Sequence, residues 1–173
     1  MSSAPAAGAA AKGAGNPRRR AREFVIQGLY QHFVGGQDIV AIIAQAETVK
    51  GFRRAHRDLY DSLLNGVVED AAALQELLQP HLDRPWLEVS PVERCILLLA
   101  ACELAQHPQT PFRVIINEAI ELARSYGGAD GYKFINGVID KLAPLMRPAE
   151  AKGRSTPASL RDADTSSAPA RRD

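Results

Sequence analysis

The stretch Cys95–Ala105 reads CILLLAACELA and is apolar on nearly every side. It follows directly on Ser90-Pro91-Val92-Glu93. Ser90 offers a side-chain oxygen to free amides, Pro91 suits the first helical position, and Glu93 stands where a carboxylate reaches back to the cap: a capping box. A helix with so clear a start and no polar face has to be surrounded by other elements, so it predicts a central, buried helix.

The remaining pattern supplies the surroundings, and its period is helical throughout. Ala21, Val25, Leu29 and Phe33 form an i, i+4 stripe over about 18–34, which Gly35-Gly36 stops. Asp38 caps a short helix with Ile39, Ile42, Ile43 and Ala46 on one face, fraying near Gly51. A long helix is expected over about 55–79, with a kink at Asn65-Gly66 and an end at Pro80. Thr110-Pro111 repeats the cap-plus-proline start for a helix over about 111–126. Its expected inner face is Val114, Ile115, Ala119, Leu122 and Ala123, with Glu118 and Glu121 outward. Asp130 caps a last helix that Pro144 ends near Ala143. No segment alternates as a strand does, and Asn136-Gly137 falls inside a helical pattern. The expected fold is all-α: a compact bundle of six to seven helices with short connections.

With 173 residues, 46% of them hydrophobic, the chain can bury one core. That core falls in 17–148. Residues 1–16, nearly all Ala, Gly, Ser and Pro, and residues 149–173, small and polar, offer little to bury and are expected as flexible tails. Cys95 and Cys102 lie about two turns apart on one helix, too far for a disulfide, and no metal-ligand spacing occurs. Two core thiols suit a reducing cytosol, no apolar run approaches a membrane span, and the Ala-rich start lacks a signal-peptide core, so a cytoplasmic protein is expected.

Net charge is +1, and −1 within 17–148, so affinity for a polyanion needs a local patch. Arg18, Arg19, Arg20 and Arg22 supply one at a helix start, where positive charge opposes the macrodipole. Free amides, the dipole and guanidinium forks together suit a phosphate there. Enzyme signatures are missing: His32, His56, His81 and His107 are scattered, and there is no phosphate loop, dinucleotide fingerprint or nucleophile elbow. Neither an enzyme nor a cofactor is expected. Tyr126, Tyr132 and Phe134 bracket a glycine-rich turn, where an aromatic ring can stack an unpaired base or simply pack.

These residues resemble a known family. Arg18-Arg19-Arg20-Ala21-Arg22-Glu23 running to Leu29-Tyr30, then Val92-Glu93-Arg94, then Ile116-Asn117-Glu118-Ala119-Ile120-Glu121-Leu122-Ala123, then Lys133-Phe134-Ile135-Asn136-Gly137-Val138-Ile139-Asp140-Lys141 match the transcription antitermination factors of the NusB family in order and spacing over about 17–148. The resemblance implies an all-helical fold of two packed sub-bundles. It implies binding of single-stranded boxA RNA in rRNA operons, tightest as a heterodimer with the ribosomal protein NusE, in support of read-through by RNA polymerase. By the same resemblance Arg18, Arg19, Arg20 and Arg22 contact RNA, and Asp130, Lys133 and Phe134 lie at the RNA surface. His81 stands where the family has a Tyr; histidine can also stack. Tyr30, Val34 and Glu93 are implied in the NusE contact, with Glu93 also readable as the capping-box partner. Two alternatives remain. Similar domains precede the catalytic part of some rRNA cytosine methyltransferases, but here a low-complexity segment follows. Some family members are homodimers, which would make the chain a protein–protein module.

Overall fold

The computed structural model describes residues 15–153, and most of both expected tails lies outside them. Seven α-helices occur there: α1 Pro17–Phe33, α2 Ile39–Thr48, α3 Arg57–Leu78, α4 Pro91–Gln106, α5 Phe112–Tyr126, α6 Gly131–Met146 and α7 Pro148–Lys152. Short 3-10 turns, Phe52–Arg54, Gln79–His81 and Trp86–Glu88, join them, and the described residues contain no strand.

The apolar helix is central, as expected. Cys95–Leu104 is buried without interruption, and α4 packs against α1, α3, α5 and α6. Two groups of helices meet on it. α1 packs on α2 and α3, and α5 packs on α6. Burial pushes the Cys95 and Cys102 thiols up to about 12, so both stay protonated core groups.

Local starts and stops hold in part. Asp38 Oδ2 accepts from the amides of Val40 and Ala41, and Ser90 Oγ accepts from the Glu93 amide at 3.3 Å. The second half of the capping box is not formed: the Glu93 carboxylate turns toward α6 instead. α3 runs as helix through Asn65-Gly66. Gly66 is a contact, because a Cβ there would stand 3.0 Å from Cys102 Sγ on α4. Pro144 does not end α6, which runs on to Met146. Near a helix end one missing amide is tolerated, and Asp140, whose carbonyl it would have reached, is exposed. Val114 lies on the outer side of α5 and Glu118 on the inner, the reverse of the expected assignment.

The start of α5 is capped from α7. Thr110 is not the side-chain cap of α5; Pro111 occupies the cap position and offers no side-chain hydrogen bond. The carboxylate of Glu150 takes that role, accepting from the Phe112 amide at 2.9 Å. It lies on α7, beyond the expected boundary at 148. Glu150 is held there by Arg147, which is buried and has its guanidinium under the C-terminus of α4. Arg147 donates to the carbonyls of Leu104 (3.0 Å), Glu103 (3.1 Å), His107 (2.8 Å) and Thr110. A cation satisfying the last carbonyls of a helix is favoured by both hydrogen bonding and the dipole. These two contacts hold the carboxylate of Glu150 below its usual range.

Arg147→Ala strands several buried carbonyls and frees Glu150. We expect a loss of about 3 kcal/mol or more in urea unfolding with the m-value unchanged. A loss within about 0.5 kcal/mol, the size of an ordinary surface change, would contradict this clasp.

Candidate nucleic-acid interface

The arginine run begins α1, and helical geometry splits it. Arg19 and Arg22, three apart, share a face. Arg22 is 2% exposed. Its guanidinium makes a forked contact with the Glu103 carboxylate of α4, with Nε 2.9 Å from Oε2, and its Nη1 lies 3.9 Å from Glu118 of α5. Arg19 grips Glu118 from above in a second fork, at 3.1 and 3.0 Å. Glu118 raises the pKa of the Arg19 guanidinium, through the hydrogen bond first and its charge second. Two arginines of α1 and two carboxylates, one each from α4 and α5, thus form a compact, charge-balanced group.

Arg22, expected from the resemblance as an RNA contact, is buried in this ion pair. A charge at that depth needs a partner, and the polar residue inside the α4 sequence, Glu103, is that partner. Arg19 keeps a half-exposed side chain with its fork turned inward. Arg18 is exposed. Arg20, on the far flank, lays its guanidinium beside Gly51, 2.9 Å from where a Cβ would stand. Gly51 has φ +97, so both conformation and space favour glycine there. The helix amides are not free for a phosphate as expected. Asn16 Oδ1 accepts from those of Arg18 and Arg19 at 3.0 and 3.3 Å.

The other RNA candidates gather elsewhere. α1 and α5 run in the same direction, linked by Arg19, near the start of α1, to Glu118 in the middle of α5, and by Gln27 to Tyr126 eight residues on. That interval spans about 12 Å of helix. Asp130, Lys133 and Phe134 lie past its far end, where α6 meets the turn carrying His81. Lys133 and Asp130 form an exposed ion pair at 3.3 Å, and Asp130 makes no side-chain cap bond. Phe134 and His81 are each partly buried. Arg84 lies over the Phe134 ring, its guanidinium 4.5 Å from the centroid. Sequence reasoning missed Arg84, although a cation in the Asp83-Arg84-Pro85 linker was a signal. A guanidinium plane and an aromatic ring are both surfaces on which a base can stack.

The partner candidates also divide. Tyr30 and Val34 are exposed at 37% and 51%. Val34 and Phe33 line a groove of about 340 Å³ with Trp86, Pro91, Arg94 and Leu98, between α1, α3 and α4. Glu93 is not an exposed contact. It is buried, with its carboxylate 2.6 Å from the Cβ position of Gly131 at the start of α6, where a negative charge is favoured. No group of three or more His, Cys, Asp or Glu positioned for a metal occurs among the described residues.

With this geometry in hand, the comparisons are direct. The model of the NusB family matches residues 19–144. The chain belongs to the NusB family. The transcription antitermination protein NusB of Dechloromonas aromatica (strain RCB) is 52% identical over 137 residues, covering 79% of this chain and 84% of that one. The NusB of Burkholderia lata is 50% identical, covering 79% and 94%. Among solved structures, NusB of T. maritima superposes with a TM-score of 0.67 at 29% identity, covering 80% of this chain and 99% of that one. The matched NusB segment includes Arg19, Arg22, Glu103 and Glu118, the whole charge group.

Two arginines in one run should therefore behave oppositely. Arg22→Ala leaves Glu103 buried and unpaired and is expected to cost about 3–5 kcal/mol of stability. Arg18→Ala should stay within about 0.5 kcal/mol. Equilibrium unfolding of both variants checks this, and equal, small losses would mean that Arg22 is not held as described.

Proposed function

We propose that this chain is a non-enzymatic, cytoplasmic antitermination adaptor that binds single-stranded boxA RNA of rRNA-operon transcripts together with NusE and supports read-through by RNA polymerase. The observation that carries this reading is the division of the arginine run. Arg19 and Arg22 are committed to carboxylates, while Arg18 and Arg20 have no ion-pair partner among the described residues. Unpaired guanidinium groups at one end of the bundle suit phosphates, which attract without reading sequence. The second cluster suits bases: Phe134 under Arg84, His81 nearby, and Lys133 exposed beside Asp130. The first lies by the middle of α5 and the second past its far end, separated by at least the roughly 12 Å from Glu118 to Tyr126, so the ligand is a strand of more than one nucleotide rather than a mononucleotide.

The NusE contact in this reading is the groove beside Phe33 and Val34, with Tyr30 on the same helix. Its rim carries exposed apolar side chains and Arg94, the composition that favours a protein partner. A domain with a net charge of −1 draws only modest affinity from its own cations, and a second RNA-binding subunit adds contacts. A homodimer seated on the same groove would compete with NusE.

In a titration by fluorescence anisotropy, the chain is expected to bind a boxA-like single strand with affinity that falls steeply with salt. Adding NusE should tighten binding, and Phe134→Ala should cost about 1–3 kcal/mol of it. Equal affinity for boxA and scrambled RNA in the presence of NusE would refute the adaptor reading.

A further inference from the structure

The arginines of the described residues sort by partner. Arg19, Arg22, Arg57, Arg84, Arg124 and Arg147 each hold a carboxylate within ion-pair distance. Arg18, Arg20, Arg53, Arg54, Arg94 and Arg113 do not. Four of these six belong to two segments that the fold brings together. The Phe52–Arg54 turn packs on the first turns of α1. The Phe52 ring meets Phe24 edge-on at 5.0 Å, the His56 amide donates to the Pro17 carbonyl at 2.9 Å, and Arg20 lies against Gly51. Arg53 and Arg54 are exposed on that turn, and Lys50 is exposed just before it.

Nothing in the fold requires these cations. Phe52 anchors the turn by burial, and Arg57 serves the local carboxylates Glu47 and Asp61 at 2.7 and 2.8 Å. Four guanidinium groups without counter-ions repel one another at low salt, a cost the sequence would avoid without an anion to offset it. Arg20 lies on the flank of α1 that meets Gly51 and the Phe52–Arg54 turn, not on the Glu118 face, so this flank does not lead toward Phe134.

We infer that Arg53 and Arg54 form, with Arg18 and Arg20, a second row of phosphate contacts that holds the RNA backbone on the α2–α3 side of α1. This rests on the RNA-binding reading above and extends the strand's path. The RNA crosses the start of α1, with one end running along α5 toward Phe134 and the other over the Phe52–Arg54 turn. The contacts are to phosphates, so they add affinity and salt dependence without sequence preference.

The test compares the full chain with three variants, R53A/R54A, R18A/R20A and R113A, binding one labelled single-stranded RNA across a salt series. Each lost phosphate contact lowers the slope of log Kd against log salt by about 0.7 for a single strand, so R53A/R54A should lower it by about 1.4. R53K/R54K should restore most of the slope, and R113A, which removes an unpaired charge outside these two segments, should leave it unchanged. Unfolding midpoints should match the parent throughout. A slope unchanged in R53A/R54A but lowered in R18A/R20A would overturn this inference and leave the RNA-binding reading standing. An equal drop in R113A would also overturn it, by reducing the effect to overall charge. A parent chain without salt-dependent binding would overturn both.

Discussion

The contact between Arg22 and Glu103 is the interaction on which the rest of the arrangement depends. Both side chains are almost wholly buried, at 3% and 2% exposed. Neither charge could stay there alone. The pair fixes α1 in register against α4, because Arg22 reaches Glu103 from one helical position and no other. Glu118 then comes within reach of Arg22 and Arg19 together, which ties α5 to the same point. Such a group is weak evidence for net stability, since apolar residues of equal volume can do as well. Its consequence is orientation. With Arg19 and Arg22 turned inward, Arg18 and Arg20 fall on the remaining flanks of the same two turns.

What could be read from the sequence divides along the same line. The buried α4, the caps at Asp38 and Ser90 and the order of the helices depend on neighbours in the chain, and all are as expected. The errors concern partners distant in sequence. Arg22 and Glu103 are separated by 81 positions, Arg19 and Glu118 by 99, and a charged residue one turn into an amphipathic helix looks solvated until its partner is known. The contacts of Arg147 and Glu150 with the ends of α4 and α5 were likewise not legible, because they span about 40 positions. Pro144 and Gly66 were taken by their usual effect on helices, when the deciding facts were a place near a helix end and a close approach to Cys102.

The RNA candidates came from two sources and fared accordingly. Charge located the start of α1 but could not say which arginines were free. The family resemblance located Asp130, Lys133 and Phe134 but not Arg84, which covers the ring. Together they describe an extended surface: cations beside the middle of α5, and an aromatic–guanidinium pair past its far end. A single strand with phosphates outside and unstacked bases suits that division better than a duplex, whose bases are hidden.

In the proposed reading, Arg22 orients the arginines that meet RNA without touching RNA itself. The double variant Arg22→Met/Glu103→Leu tests it most directly, since an apolar pair of similar volume can replace the buried charges while leaving neither unpaired. The measurement is RNA affinity of this variant once circular dichroism and urea unfolding show it folded. The account predicts affinity and salt slope within about twofold of the parent, a difference of about 0.4 kcal/mol. A folded double variant that has lost a phosphate contact, with its slope lowered by about 0.7, would show that Arg22 itself holds the RNA.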